Sequence, residues 1–587
     1  MLEAQNTHYC TIRIDLNDYK RQIFDLLPEL KESTGASLRT SIGVCLPNRC
    51  SSGSIKYLTE QITATNSSSI NIECYDEHVR KSIHYSVYAI GIVVLTLIVL
   101  GSFCRALRLK TLSSIVLPFS VAHNLKLLRS ARDSYLRTRL DLSPIDGFKV
   151  LTMLWIIVIH SYNFSMQWLH YDNAAEVASV YATIWTQWIA NGTFSVDNFL
   201  IASGLLSSIR FYKTQPENVP ASLSKRYFRL APPTVLCIII SINLLQYWSC
   251  GPNWSNATMM FDLWCRKNWP VNLLMLQNYV NTSNMCYSHT WFISVEMQLF
   301  LAIRLLQSLC FPVTSFESKL KRKPNALYFL REMRAKLAIR RKYFLMVLTL
   351  FSISGQILAA SIIYMQDLPP MPLLPTTPMA MNEYYSRVYI KPFYWFSSYV
   401  MGVVLGEFIL TESVKNMPAQ TRLSHSGTTR NSARDLLNIL PNICALVALA
   451  TLWSCSAHFR SRKPMSNLTA AIYSFLARPI WSMCMVVILK RLVLKQPEQC
   501  TWLRGLRGLL SLKIWRTFSR LNLGAYLLHP VIMAVFYGSR NESFNMTPAL
   551  MFYYSVGNIV ATYIAALLFF LVIESPASQI FKSLLEK

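Results

Sequence analysis

The sequence predicts an all-α multi-pass membrane bundle of about eleven transmembrane helices, with a small disulfide-bonded N-terminal domain on the extracytoplasmic side. Two features of composition support this fold class: 52% of the 587 residues are hydrophobic, and only 15% are charged. A third is the recurrence of apolar stretches, since a transmembrane helix needs about 20 predominantly apolar residues. Such stretches lie near 85–104, 150–167, 189–209, 231–248, 290–309, 343–364, 389–410, 436–454, 468–489, 521–537 and 549–573.

The basic residues give the bundle an orientation. The net charge of +27 is high enough for a nucleic-acid-binding protein, but its distribution argues against that class. Lys and Arg cluster between apolar stretches, above all in 105–149, 304–342 and 490–520. Such clusters are typical of loops on the cytoplasmic side. We therefore expect an extracytoplasmic N-terminus and a cytoplasmic C-terminus, in the endoplasmic reticulum or the plasma membrane.

The N-glycosylation sequons favour the same orientation, because this modification occurs on the luminal or extracellular side. Two of the sequons, at Asn163 and Asn191, lie at the outer edges of spans, close to the membrane surface. None of the sequons falls in a segment assigned to the cytoplasm, and a glycoprotein is expected. The sequons in extracytoplasmic segments are Asn66, Asn253, Asn256, Asn281, Asn467, Asn541 and Asn545.

The polar segment before the first span contains four cysteines, Cys10, Cys45, Cys50 and Cys74. An even number of cysteines in a short segment predicts two disulfides in an oxidising compartment, without fixing their pairing. In the outer loop after the fourth span we expect a disulfide between Cys265 and Cys286. Cys250 is then left unpaired or bonded to Cys455.

The chain therefore divides into four parts. We predict an N-terminal cysteine-containing domain at 1–84, a first transmembrane helix at 85–104, a basic cytoplasmic linker at 105–144 and a membrane domain at 145–587. The first ten residues lack the basic and apolar regions of a signal peptide. Either the first span translocates the N-terminal domain, or a signal precedes Met1, and we expect the second arrangement.

A few ionisable residues interrupt the apolar spans. Charged side chains cost several kcal/mol near the bilayer centre, so we treat each as a functional candidate. They lie on five different spans, which suggests a shared polar cavity inside the bundle. These residues are His160, Asp197, Glu296, Arg478 and His529.

Each of these residues also has a structural interpretation. For His160, a buried histidine that forms a hydrogen bond to a neighbouring helix is expected as much as a catalytic one. Glu296 and Arg478 are alternatively a buried ion pair. His529, which precedes Pro530, alternatively caps or kinks its helix.

Asp197, the Ser203-Gly204 pair and the two arginines of KRYFRLAPP also have structural interpretations. Asp197 lies near the outer end of its span, where a helix-start or snorkelling role is equally expected. The Ser203-Gly204 pair permits close helix packing. Arg226 and Arg229 in KRYFRLAPP lie three residues apart on one helical face. They are either a positive-inside anchor or a clamp for phosphates, which guanidinium groups bind well.

An ordered series of segments carries a family resemblance: GVCLPNRCS, DGFKVLTMLWIIVIH, SVDNFLIASGLL, KRYFRLAPP, CRKNWPVNLLMLQNY, CYSHTWFISVEMQLFL, YSFLARPIW, LGAYLLHPVI and ESPASQIFKSLLEK. Together they resemble the acyltransferase-3 family of integral membrane acyltransferases, and within it the animal nose-resistant-to-fluoxetine branch. The opening helix of that family reads roughly DG-L/I-R, then an apolar run that ends in histidine. His160 matches this histidine, and Lys149 stands in the place of the arginine.

The resemblance implies an acyltransferase that moves groups other than amino-acyl groups. The acyl group would pass from cytoplasmic acyl-CoA, a co-substrate, to a hydroxyl acceptor such as a lipid, sterol, sugar or similar small molecule. The implied partners are membrane lipid, acyl-CoA and the acceptor, with no nucleic acid. We expect no permanently bound cofactor and no metal site.

The resemblance also suggests roles for individual residues. His160 would act as general base on the acceptor hydroxyl, because imidazole titrates near the operating pH. Glu296 would orient or tune this base, and Arg478 would stabilise negative charge on the thioester carbonyl. Further candidates are Asp197, Ser203 and His529. The phosphates of CoA would be held by Lys149, Arg226 and Arg229.

Two features depart from the family pattern. Lys149 keeps a positive charge but lacks the bidentate fork of arginine, so donor binding is expected to be weakened or altered. The stretch 495–516 lacks the glycine-rich pattern expected of the branch. Neither departure removes His160.

A second class of function stays open, a membrane transporter or a lipid- or drug-handling protein with an acyltransferase-like fold. A polar bundle interior serves transport as well as catalysis. The pairing of Lys149 with His160 and the basic residues of KRYFRLAPP favour acyl-CoA chemistry, because transport does not require them.

Overall fold

The structure is a computed structural model. Side chains of the three N-terminal strands and of some helix ends are not described. The described residues are 7–15, 39–47, 56–57, 70–75, 85–107, 116–130, 141–173, 177, 180–213, 219–249, 253–311, 326–372, 377–415, 429–461, 463–494, 500–540 and 542–585.

A small antiparallel sheet precedes the helices, which the sequence did not predict. Its strands are β1 (Thr7–Asp15), β2 (Arg39–Pro47) and β3 (Ile70–Tyr75), in the order β2-β1-β3. The register places Cys10 opposite Cys74 on neighbouring strands. The side chains of all four N-terminal cysteines lie outside the described residues, so their disulfides stay a prediction.

Helices form most of the rest of the described chain. Short helices without labels lie in the loops at Gln187–Ala190, Trp254–Thr258, Leu263–Leu273, Pro378–Tyr384 and Ser456–Ser461. A π-helix, Phe570–Glu574, joins the last two long helices. The labelled helices are α1 (Tyr85–Ala106), α2 (Val121–Arg129), α3 (Ser143–Trp168), α4 (Phe194–Lys213), α5 (Val219–Leu244), α6 (Trp291–Cys310), α7 (Ala326–Met365), α8 (Pro392–Lys415), α9 (Thr429–Trp453), α10 (Asn467–Val493), α11 (Thr501–Leu510), α12 (Lys513–Gly538), α13 (Pro548–Phe569) and α14 (Ser575–Leu585).

Side-chain caps define where several of these helices begin. The hydroxyl of Ser466 accepts a hydrogen bond from the backbone N–H of Thr469 at the start of α10. Thr547 caps α13 in the same way, and Pro548 occupies the first helical position. Both choices satisfy or remove backbone donors that have no partner within the first helical turn.

Within the described residues, nine helices are long and apolar enough to cross a membrane, so the expected count of eleven is not confirmed. The expected spans 85–104 and 189–209 correspond to α1 and α4, which are not among the nine. Helix α1 has a shorter apolar stretch at Gly91–Ala106. Helix α4 is interrupted by polar residues, including Asp197 and Arg210.

The outer surface of the bundle is apolar. Large side chains on α7, α9 and α13 are exposed, among them Phe351, Leu446, Phe552 and Ile564. A water-soluble protein rarely exposes such continuous apolar surface, whereas a lipid bilayer is its matching solvent. The protein is therefore a multi-pass membrane protein.

Helices α4 and α8 approach each other so closely that only glycine fits at the contact. A Cβ atom on Gly204 would lie 2.2 Å from the carbonyl oxygen of Tyr399, and one on Gly402 would lie 2.1 Å from that of Ile201. Small residues permit this approach between membrane helices. The packing interpretation of Gly204 is therefore correct, and the contact fixes α4, which carries part of the site below.

We expect Gly402→Val to destabilise the bundle, because the added side chain forces α4 and α8 apart. Overpacking of this kind costs about 1–3 kcal/mol. The measurement is the melting temperature of the purified protein in detergent.

Gly557→Val is the matched control, because a Cβ at Gly557 meets no described atom within 4 Å. Both substitutions place a β-branched residue in a helix. Equal melting temperatures for the two variants would contradict the close approach of α4 and α8.

Candidate active site

A large cavity of about 1520 Å³ lies inside the bundle, between α3, α4, α5, α6 and α12. Along α3 its lining runs from Lys149 to Trp168. At 1.5 Å per residue this length is about 28 Å, close to the ~30 Å thickness of a hydrocarbon core. The cavity therefore follows the bundle across most of a membrane.

The two ends of this cavity differ in charge. We call one the basic end, because six cationic side chains line it. The other, here the loop end, is lined by Trp168, Trp264 and Glu383. A concentration of cations at one end of a low-dielectric cleft attracts anions. The basic end consists of Lys149, Arg210, Lys225, Arg226, Arg229 and Arg304.

A three-residue network lies next to the basic end. Arg226 on α5 forms a salt bridge with Glu296 on α6, and its Nη2 donates a 2.8 Å hydrogen bond to the hydroxyl of Ser203 on α4. The Ser203 hydroxyl donates in turn to Glu296. The network thus joins α4, α5 and α6. Ser203 belongs to SVDNFLIASGLL, Arg226 to KRYFRLAPP and Glu296 to HTWFISVEMQLFL.

This network corrects two sequence-based interpretations. Glu296 pairs with Arg226 and not with Arg478, because α5 presents its arginine directly to α6. Arg226 is mostly buried in the cavity wall and its guanidinium lies 4.3 Å from the ring centre of Phe300. It is therefore more than a membrane-surface anchor.

The neighbouring cations have acidic partners. The Nζ of Lys149 lies 3.3 Å from a carboxylate oxygen of Asp146, one turn earlier on α3. Asp146 also accepts a 2.8 Å hydrogen bond from Ser519 on α12. Arg229 interacts electrostatically with the buried carboxylate of Glu574. The Asp146 carboxylate therefore holds Lys149 in place beside the cavity.

His160 lies about two-thirds of the way along α3 and lines the cavity. Its Nδ1 is 2.7 Å from Nε2 of His529 on α12, and the two ring planes are parallel within 3°. His160 therefore does form the cross-helix hydrogen bond that the structural interpretation predicted. That bond does not prevent a role in catalysis, because imidazole has a second nitrogen.

The hydrogen-bond network determines which nitrogen of His160 carries its proton. His529 Nδ1 lies 3.0 Å from the carbonyl oxygen of Ala525, which only accepts, so this nitrogen is the donor. Neutral His529 then has an acceptor at Nε2, and His160 Nδ1 must donate to it. The lone pair of His160 is thereby left at Nε2. This is the arrangement of an oriented general base.

Asp197 and Arg478 form a separate buried ion pair outside the cavity lining. The Arg478 Nη1 is 2.7 Å from an Asp197 carboxylate oxygen, and both side chains are almost fully buried. Ser398 donates a 2.5 Å hydrogen bond to the same carboxylate. The guanidinium also lies 4.4 Å and 3.9 Å from the ring centres of Tyr394 and Trp395.

These contacts exclude the snorkelling role expected of Asp197, whereas its place in the first turn of α4 agrees with the helix-start alternative. Arg478 was expected beside the reacting carbonyl, but it joins α10 to α4 and α8. The sequence offered a buried ion pair for Arg478 as an alternative, but with Glu296 as its partner, and it offered no pair for Asp197. Helix order alone does not reveal that α4 and not α6 faces this arginine.

We expect Arg478→Leu and Asp197→Asn each to lower stability by about 3–5 kcal/mol, because each leaves an uncompensated buried charge. The double variant Asp197→Asn/Arg478→Leu should be close to the wild type, since it removes both charges. Thermal unfolding of the three purified variants measures this coupling.

The control is Arg266→Leu, which breaks a partly exposed pair with Asp262 and should change stability by less than about 1 kcal/mol. Single variants as stable as Arg266→Leu, or a double variant as unstable as the singles, would refute the buried pair.

The loop between α5 and α6 carries a functional candidate that sequence reasoning missed. His289 precedes α6, is 6% exposed and lines the cavity. Its ring centre lies 5.8 Å from that of His529. The imidazole in HTWFISVEMQLFL was visible in the sequence, but its place at the mouth of a span did not mark it as buried.

Several contacts fix this loop. A disulfide joins Cys265 to Cys286, three residues before His289. The backbone N–H of Tyr287 donates to Met260, and the Asn272 amide donates to the carbonyl of Cys286, both at 2.9 Å. Cys455 is a buried free thiol, so the alternative bond from Cys250 to Cys455 is not formed.

The fold and the cavity together define a class of molecule: a multi-pass membrane protein that encloses buried histidines and a cluster of cations in one long cavity. A sequence model of the acyltransferase-3 family, described as an acyltransferase domain, matches residues 143–573. The chain belongs to this family.

A relative from Caenorhabditis elegans points to one branch of the family. Nose resistant to fluoxetine protein 6 is 22% identical over an alignment of 616 residues, which covers 95% of this chain and 67% of that protein. No solved structure matches the chain.

Proposed function

We propose that the protein transfers an acyl group from acyl-CoA to a hydroxyl acceptor, with His160 as the general base. The observation that carries this proposal is a single cavity lined both by His160 and by the six cations of the basic end. The membership of the acyltransferase-3 family supports the reaction class. The neutral His160 with its lone pair at Nε2 supports the role of base.

The basic end suits the phosphates of CoA. Lys149, Arg226 and Arg229 would hold them, helped by the other cations of that end. Guanidinium groups bind phosphate bidentately, whereas the ammonium of Lys149 is a point charge. Because loops rich in Lys and Arg stay in the cytoplasm, the basic end would open toward cytoplasmic acyl-CoA.

The size of the cavity is compatible with two substrates at once. Sites for one small ligand usually occupy about 300–1,000 Å³, and this cavity has about 1520 Å³. The donor would enter from the basic end and the acceptor from the loop end. The thioester and the hydroxyl would then meet beside His160, which lies about 16 Å along α3 from Lys149.

The proposed reaction begins when Nε2 of His160 takes the proton of the acceptor hydroxyl. The hydroxyl oxygen attacks the thioester carbonyl and forms a C–O bond, while the carbonyl oxygen becomes an oxyanion. When the C–S bond breaks, the leaving thiolate takes the proton back from His160. His529 stabilises the transient imidazolium, because its Nε2 accepts a charge-assisted hydrogen bond from His160 Nδ1.

Glu296 and Arg478 have indirect roles in this proposal. Glu296 is a positioning residue for Arg226 and Ser203, since it contacts both. Arg478 holds α10 against α4 through Asp197 and does not line the cavity. His529, and not Glu296, would orient the base.

Removal of the base should abolish turnover. We expect His160→Ala to lower kcat for acyl-CoA consumption by roughly 10²–10⁴-fold, the usual contribution of a general base. The assay is thiol release from acetyl-CoA or palmitoyl-CoA by the purified protein.

The matched control is His458→Ala, because His458 lies on a loop helix away from the cavity. It should turn over at the wild-type rate. Equal rates for the wild type and His160→Ala would refute the proposed base.

The basic end should control the Michaelis constant for acyl-CoA. We expect Arg229→Gln to raise KM about tenfold or more with little change in kcat, because a phosphate contact is lost. Lys149→Arg should lower KM, since it restores the bidentate fork. Added salt should raise the wild-type KM by screening these charges.

Arg266→Gln is the control for charge alone, because Arg266 is partly exposed and lies outside the cavity lining. A KM that rises equally in Arg266→Gln and Arg229→Gln would argue against a phosphate site at the basic end.

Transport of a lipid or drug is the second candidate function, favoured by the length of the cavity along α3. Movement of a substrate through the bundle does not need a base at His160. Uptake of a fluorescent lipid analogue into vesicles containing the protein, unchanged in His160→Ala and without thiol release in the wild type, would favour transport.

A further inference from the structure

His289 is a buried imidazole with unused hydrogen-bonding capacity. It is 6% exposed and lines the cavity. Among the described residues, neither ring nitrogen has a hydrogen-bond partner. A buried polar group without a partner costs about 1–3 kcal/mol. Such groups are expected where a ligand supplies the missing bond.

The position of His289 is rigid. The hydroxyl of Tyr526 on α12 donates to its backbone carbonyl. Its ring packs against Tyr287 at 5.4 Å and against Tyr526 at the same distance, measured between ring centres. The nearby Cys265–Cys286 disulfide ties down the preceding loop. Fixed donors of this kind stabilise charge without reorganisation.

His289 also belongs to the same cluster as the proposed base. The ring centre of His529 lies 5.0 Å from that of His160 and 5.8 Å from that of His289. His529 is fully buried between them, whereas His160 and His289 both line the cavity. Two imidazoles, one on α3 and one in the loop before α6, therefore line the cavity close to the same buried histidine.

The proposed reaction also needs a hydrogen-bond donor for the thioester oxygen, and none of the residues assigned so far supplies one. The thioester carbonyl oxygen becomes negatively charged when the acceptor attacks, and a donor must stabilise it. Arg478 does not line the cavity and is already paired with Asp197. His160 is occupied by the proton of the acceptor. A neutral imidazole has one N–H donor in either tautomer, so His289 supplies a donor.

We infer that His289 is a second catalytic residue, which donates a hydrogen bond to the thioester oxygen as it becomes an oxyanion. This inference rests on the proposed acyl transfer. His289 remains neutral throughout the reaction: the acceptor proton goes to His160 and then to the leaving thiolate. The N–H of His289 strengthens its hydrogen bond as charge develops, and no proton is lost from it.

The experiment compares four full-length proteins in detergent: wild type, His160→Ala, His289→Phe and His289→Gln. Thiol release from acetyl-CoA and from palmitoyl-CoA gives kcat and KM for each. His289→Phe keeps a ring of similar size without a donor, whereas His289→Gln restores an N–H donor. We expect kcat to fall about 10²–10³-fold in His289→Phe, with KM changed less than twofold. His289→Gln should recover at least about tenfold of this loss.

The outcomes separate this inference from the proposed function. A wild type without thiol release, or one equalled by His160→Ala, overturns the proposed function and this inference with it. A wild type that is active and depends on His160, with His289→Phe within threefold of its kcat, overturns only the role of His289. A rise in KM without a fall in kcat also overturns it. If His289→Phe does not fold, His289→Met is the donor-free variant, judged by the same limits.

Discussion

The need to pair every charge and polar group inside an apolar bundle governs this molecule. Lipid offers no hydrogen bonds, so each buried ionisable residue must find its partner on a neighbouring helix. Arg478 with Asp197 joins α10 to α4, and Arg226 with Glu296 joins α5 to α6. These pairs hold the helices that surround the cavity. His160 and His289 also line the cavity, and we place the reaction beside them.

The histidines and the cations lie at different depths of one cavity, and this separation gives the site its direction. A phosphate-bearing donor would be held at the basic end by charge, while its reactive end would lie among neutral imidazoles. Neutral groups suit that position, because burying an uncharged imidazole in an apolar environment costs far less than burying an ion. The hydrogen bond from His160 to His529 then decides which nitrogen acts.

The sequence predicted the membrane class, most of the spans and the residues that are expensive to bury. It identified His160, Arg226 and Glu296 because each is a polar residue in or beside an apolar run. It did not predict pairing, since the partner of Arg478 depends on which helix faces α10 in three dimensions. It also missed His289, because a histidine at a span mouth has no sequence pattern that distinguishes a solvated side chain from a buried one. It also missed the sheet of the first residues, although the strands alternate apolar and polar residues, as Ile12 and Ile14 do with Arg13 and Asp15.

The central claim is that donor and base share one cavity, with phosphates at the basic end and the thioester beside His160. An experimental structure of the purified protein with bound coenzyme A tests it most directly. We predict that the phosphates contact Lys149 and Arg229 and that the thiol sulfur lies next to Nε2 of His160. Coenzyme A bound outside the cavity, or with its phosphates at the loop end beside Trp264, would contradict this account.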